Sequence, residues 1–114
     1  MIKRGEIWWA ELADPRGSEP GFRRPVVVVQ ADSFNRSQIG TVVVAAISSN
    51  LDLAEAPGNV GVSRRDSRLP RISVVNVSQV LTLDRRFLTK RVSRLSAQVV
   101  EEIDSGLRLV LSLG

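Results

Sequence analysis

Residues 17–30 read GSEPGFRRPVVVVQ, a polar loop punctuated by Gly17, Pro20 and Gly21 that closes on four consecutive valines. A short run of β-branched residues bounded by turn formers reads as a strand buried on both faces, hence an interior strand of a sheet. Pro25 can open that strand, because no ladder donor is lost from its middle. The loop before it supplies a carboxylate, Glu19, and two guanidiniums, Arg23 and Arg24. Loops held on rigid strands are where binding and catalytic groups concentrate.

Outward from this stretch the pattern stays β. Residues 6–12 (EIWWAEL) form a first strand, with Ile7, Trp9 and Leu12 turned inward and Trp8 on the other face. Asp14-Pro15 and Gly17 end it. Residues 31–38 make a helical turn. Residues 41–47 form a third strand closed by Ser48, Ser49 and Asn50, and residues 60–63 a fourth, after the turn at Pro57-Gly58-Asn59. Residues 72–77 form a fifth, which residues 80–83 extend past a bulge or kink. Residues 64–71 read as a basic turn or loop, and residues 84–92 fit neither period.

The C-terminal stretch is helical. Ser96 is placed to cap it, Glu101 and Glu102 lie near its start, and Val99, Ile103, Leu107, Val110 and Leu111 recur on one face. Gly106 costs such a helix about 1 kcal/mol against Ala, which points to close packing or a kink. The expectation is one α+β domain over residues 1–114: a small, mainly antiparallel sheet or half-open barrel of about five strands, capped by a C-terminal helix. Its open edges are of the kind that dimerisation covers.

The chain has no Cys, His or Tyr among its 114 residues. Disulfides, thiolate chemistry, Cys/His zinc sites and imidazole acid–base catalysis are therefore excluded. No apolar run approaches the ~18 residues of a membrane span. The N-terminus turns acidic at Glu6 without a small-residue cleavage site, so a cytoplasmic protein with no membrane association is expected. Net charge is +4 but unevenly spread: residues 64–94 carry nine basic side chains against Asp66 and Asp84, a net +7, leaving −3 elsewhere. All but two of the sixteen basic residues are Arg, the side chain suited to bidentate phosphate contact. This asymmetry fits a polyanionic partner or a solvated surface.

If the second and third strands are antiparallel neighbours, Arg24 at the start of one lies near Ser48 at the end of the other, with Glu19 in the loop above. A guanidinium, a hydroxyl and a carboxylate suit cleavage of RNA by its own 2′-OH without metal. The substrate brings the nucleophile, and the protein supplies a base, a cation for the phosphorane and a proton source. Each residue also has an ordinary reading: a serine ending a strand, a surface cation, and a glutamate paired with Arg23. The glycines mark turns rather than a phosphate-cradling P-loop, whose Gly-Lys-Ser/Thr ending is missing. Asp52 and Glu55 read as part of an exposed loop.

The blocks RGEIWWAEL, GSE…RRPVVVVQ, VVVAAISSN and SVVNVSQVLTLD, followed by the apolar helix, resemble the MazF/PemK family of toxin endoribonucleases over essentially the whole chain. The resemblance implies an SH3-like (CcdB/PemK-type) barrel, a homodimer, and metal-independent, sequence-specific cleavage of single-stranded RNA such as mRNA, with no cofactor. It also implies neutralisation by a cognate antitoxin whose acidic tail crosses the RNA groove. Carried across residue by residue, the catalytic Arg before Pro-Val falls on Arg24 and the catalytic hydroxyl on Ser48, where the family often has Thr. The acid of the GSE block falls on Glu19. The RNA-contacting Gln falls on Gln79, with Asn76 and Ser78 nearby, and Ser49 and Asn50 begin a loop that shapes the groove. Two other readings keep the sequence observations: a CcdB-like gyrase inhibitor, and a non-catalytic RNA-binding module driven by the basic segment.

Overall fold

In the computed structural model, which describes residues 1–12, 17 and 22–114, the valine run lies in the fourth of six strands of one antiparallel sheet. The strands are β1 (Glu6–Glu11), β2 (Arg23–Val28), β3 (Thr41–Ser48), β4 (Val60–Val62), β5 (Ser73–Asp84) and β6 (Leu88–Arg94). Their order across the sheet is β4-β5-β3-β2-β1-β6. Three helices accompany them: α1 (Asp32–Asn35), α2 (Arg64–Ser67) and the C-terminal α3 (Ala97–Leu111). Among the described residues no helix is long and apolar enough to cross a membrane.

The sheet curls so that both faces are covered. One cluster gathers Ile7, Val27, Ala45, Ile47, Val75 and Ile103, with Trp9 against it; the other gathers Ala10, Val26, Val28, Val42, Val44 and Leu88, with Trp8 against it. Val26, Val27 and Val28 are each at most 1% exposed because alternation sends them to opposite clusters. Leu12 packs with Trp8 in the second cluster, not with Ile7 and Trp9 as the sequence suggested. Strict alternation through residues 8, 10 and 12 dictates this.

β5 carries the largest irregularity. Its first half pairs Asn76 with Ala46 and Val74 with Ser48, and its second half pairs Val80 with Ala45. Val77, Ser78 and Gln79 are therefore extra residues, the bulge foreseen between residues 77 and 80. Three is an odd number, so the odd-numbered positions change face: Val75 and Val77 join the first cluster, Leu81 and Leu83 the second. Asn76 Oδ1 fixes the bulge by accepting from the Ser78 N–H (3.2 Å) and from Ser78 Oγ (2.7 Å).

Two elements were not foreseen. Residues 88–94 (LTKRVSR) form the edge strand β6, held by backbone pairing to β1 although its side chains alternate poorly. Residues 64–67, expected within a basic turn or loop, form the one-turn helix α2, which starts where Ser63 Oγ accepts from the Asp66 N–H (3.1 Å). The buried Ser93 hydroxyl on β6 donates to the buried Ser67 carbonyl (2.5 Å), fastening α2 to the sheet.

α3 begins at Ser96, whose Oγ accepts from the Val99 N–H (3.3 Å), as expected. Val99, Ile103 and Leu107 cover the first cluster, but Val110 and Leu111 are 43% and 54% exposed, because the helix runs on past the sheet. Gly106 meets the loop before β4 backbone to backbone, so close packing rather than a kink explains it. Arg4 ties the helix to the sheet, with Nη2 on Asp104 Oδ1 (2.5 Å) and Nε on the Val29 carbonyl (3.0 Å).

Glu6 is a buried carboxylate at the β1–β6 edge. Burial by itself would raise its pKa. Hydrogen bonds from Arg91 Nε (2.5 Å), the Lys3 N–H (2.8 Å) and Trp8 Nε1 (3.2 Å) outweigh that and hold it below the ordinary value.

Candidate active site

The β2–β3 ladder pairs Val26 with Ala46 and Val28 with Val44. Continuing that register by two residues sets Arg24 across from Ser48, the last residue of β3. The even-numbered residues of both strands share the face of the second cluster, so Arg24 and Ser48 stand together at its rim, both half-buried. Asn76, opposite Ala46 on β5, belongs to the same face one strand further across. The backbone pairing expected from sequence is thus present: β2 and β3 are antiparallel neighbours, and their register, extended by two residues, sets position 24 opposite position 48.

Ser48 does two things at this rim. Its Oγ accepts from the Asn50 N–H (3.1 Å), which turns the chain out of β3 and orients the hydroxyl. The O–H remains available as a donor, the role a phosphate oxygen would use. Asn50 is largely occupied by structure, since its Oδ1 accepts from the Asp52 N–H (3.2 Å) and caps a 3-10 turn over Leu51–Glu55. Ser49 points to the other face and lines a cavity there. Gln79 and Ser78 sit in the β5 bulge beside Asn76. Glu19 lies outside the described residues.

The loop after β3 and the bulge are mechanically linked. Asn59 Oδ1 accepts from the Val77 N–H (2.9 Å) and its Nδ2 donates to the Leu53 carbonyl (2.9 Å). One side chain therefore sets both the loop that follows Ser48 and the segment that carries Gln79.

Through the rim lies a cavity of about 400 Å³, lined by Arg24 and Ser49 together with Trp9, Phe22, Arg23, Pro25, Pro70 and Arg71. The Arg23 guanidinium stacks 4.3 Å from the Trp9 ring centroid and its Nε lies 3.7 Å from Glu11 Oε1. Phe22 is 60% exposed with φ +58°, a left-handed conformation that bulky residues seldom adopt. Sequence reasoning gave Arg23 no role beyond pairing with Glu19 and did not place Trp9, Phe22 or Arg71 at the site. Trp9 was assigned to the core, and Arg71 reaches the cavity only because α2 and Leu69 turn the chain back. Among the described residues no group of three His, Cys, Asp or Glu could hold a metal ion.

A small curled antiparallel sheet closed by a C-terminal helix defines a half-open barrel of the α+β class. Residues 3–111 match the family model for PemK-like, MazF-like toxins of type II toxin–antitoxin systems, and the chain belongs to that family. It is 50% identical over 113 residues, covering 99% of each chain, to Endoribonuclease MazF2 of Mycobacterium bovis and to Endoribonuclease MazF6 of Mycobacterium tuberculosis. Among solved structures it is similar to a mycobacterial endoribonuclease in complex with its cognate antitoxin (TM-score 0.82, 19% identity, 100% and 98% of the two chains). It is also similar to Mycobacterium tuberculosis toxin MazF-mt6 (TM-score 0.80, 19% identity, 96% and 98%). At such identities the structural likeness speaks for the fold, and the six strands with terminal helix agree with it.

Proposed function

We propose that this chain is a toxin endoribonuclease acting in the cytoplasm on single-stranded RNA, mRNA included, at a short specific sequence. The observation that carries the reading is Arg24 set across from Ser48 at the rim, in a chain 50% identical to proteins named endoribonucleases. The ribose 2′-OH attacks the adjacent phosphorus, forming the 2′-O–P bond as the P–O5′ bond breaks. The products are a 2′,3′-cyclic phosphate and a 5′-hydroxyl, and neither water nor a metal enters the step. Arg24 neutralises the charge that builds on the phosphorane oxygens, and the Ser48 hydroxyl donates to one of them. Glu19 takes the 2′-OH proton, and the departing 5′ oxygen takes a proton from solvent, which serves as proton carrier and not as nucleophile. Gln79 and Ser78 in the bulge and Asn76 beside it, with Ser49 and Asn50 after β3, contact the flanking nucleotides.

The whole chain acts as one toxin domain, working as a homodimer and neutralised by a cognate antitoxin. The named structural relative bound to its antitoxin supports the last point. The test is purified protein with a sequence-diverse transcript in excess EDTA. Cleavage yielding 5′-hydroxyl ends is expected, and Arg24→Ala is expected to lose at least about 10²-fold in rate, the scale of removing one oxyanion-stabilising donor. An uncut transcript, or full activity in a folded Arg24→Ala protein, would sink the reading.

A further inference from the structure

Among the described residues, a second, strongly basic pocket of about 410 Å³ lies at β6, outside the Arg24–Ser48 rim. Its walls carry Arg65 and Arg68 from α2 and its C-terminal end, and Arg91 and Arg94 from β6. All four arginines are exposed, and among the described residues Asp66 is the one carboxylate in the pocket wall. Among the described residues Arg65, Arg68 and Arg94 form no ion pair. Arg91 gives its Nε to Glu6, which fixes the guanidinium plane while the side chain stays half-exposed at the surface.

Two features separate this cluster from an ordinary solvated face. The first is rigidity. The Ser93 hydroxyl bonded to the Ser67 carbonyl locks α2 against β6, and Ser67 Oγ in turn accepts from the Leu69 N–H (3.1 Å), so both pairs of arginines ride on one fixed frame. The second is continuity with the candidate active site. The segment that supplies Arg65 and Arg68 to this pocket supplies Pro70 and Arg71 to the cavity holding Arg24. On the other side Lys90 of β6 is the register partner of Trp9 in that cavity, and Arg91 is the partner of Trp8. The two cavities are thus linked along the chain through residues 65–71 and across the sheet through the β1–β6 pairing.

We propose that this pocket is a phosphate-binding exosite that holds the backbone of single-stranded RNA beyond the cleaved site. The proposal rests on the endoribonuclease reading and adds a second anchor to it. Guanidiniums grip phosphate oxygens bidentately and without regard to base, so the exosite supplies length-dependent affinity rather than sequence choice. A chain anchored there is also delivered to the rim as an intramolecular partner, which raises its effective concentration at Arg24.

The test compares wild type with Arg65→Gln/Arg68→Gln and with the charge-reversed Arg65→Glu/Arg68→Glu. Arg108→Glu on α3 is the control for charge change alone. The probes are a long transcript and the shortest fragment of it that wild type still cuts. The exosite predicts a KM increase of about fivefold or more on the transcript, with a smaller change in kcat. It predicts a clearly smaller KM change on the fragment, and a salt slope for transcript binding that is shallower by about 0.7 for each phosphate the variant no longer neutralises. Equal KM values and salt slopes in wild type and both folded variants would overturn it. So would weakened binding to a poly-glutamate peptide with RNA parameters intact, which would assign the pocket to an acidic protein, or a changed oligomeric state by light scattering, which would make it a subunit interface. A wild type that binds the transcript with the expected slope yet never cuts it would refute the endoribonuclease reading and leave the exosite standing.

Discussion

Replacing Gly106 with alanine sets two physical effects directly against each other. Helix propensity favours the substitution by about 1 kcal/mol at an interior position of α3. Packing opposes it: an added Cβ would stand 2.0 Å from the Gly58 carbonyl oxygen, 2.9 Å from its carbonyl carbon and 3.1 Å from Val77 Cγ1. Ordinary contact begins near 3.4 Å, so the loop backbone must retreat by more than an ångström. Gly58 cannot readily absorb that by local rotation, since its φ of +84° is already one that glycine alone adopts easily. Overpacking of this kind costs about 1–3 kcal/mol, and shifting Gly58 strains the neighbouring Asn59 hydrogen bonds by about 1 kcal/mol more. The net expectation is destabilisation of about 2 kcal/mol, a fall in Tm of about 8 °C for a chain of this size. Thermal unfolding by circular dichroism, with urea titration for the free energy, measures it. A Tm at or above that of wild type, as propensity alone demands, would refute the packing argument. Because Asn59 also positions the loop after Ser48, cleavage in the variant is expected to weaken at temperatures where it is still folded.

Acid sensitivity follows from Glu6. Its folded-state pKa is lowered, so its contribution is fully present above the unfolded value near 4.5 and is lost as pH falls through the folded one. Glu6→Gln is therefore expected to be less stable than wild type at neutral pH by about 1–3 kcal/mol, the cost of unpairing a buried group, with the gap closing in urea titrations below about pH 4. A gap that persists unchanged at low pH would contradict this. Ser93→Ala should cost about 1–2 kcal/mol by removing the buried bond to Ser67, and should raise hydrogen exchange in residues 64–69 well beyond that elsewhere. Uniform exchange would show that α2 is held by something else.

What could be read from the sequence follows from where information is local. Four valines bounded by turns fix an interior strand whatever surrounds them, and two antiparallel neighbours joined by a modest connection bring Arg24 and Ser48 to one rim without further assumption. β6 escaped because an edge strand can be held by backbone hydrogen bonds alone. LTKRVSR buries little beyond Leu88 and Ser93 and so leaves no clear period. The cavity escaped for a different reason. Arg71 and Pro70 come to Trp9 from some sixty residues away, through a one-turn helix whose four residues carry too little pattern to be seen. The face of α3 was legible but its extent was not, since the length of sheet available to cover Val110 and Leu111 is a property of the assembled fold.

The odd-numbered insertion in β5 bears on how such a protein can change over time. The ladder register tolerates exchange at positions 78 and 79, although replacing Ser78 costs its hydroxyl bond to Asn76 Oδ1. The number of residues in the bulge tolerates none. Losing or gaining a single residue there would turn Leu81 and Leu83 out of the core and bring their neighbours in, an all-or-none failure of half the strand. Change on this side of the rim must therefore arise by substitution at constant length.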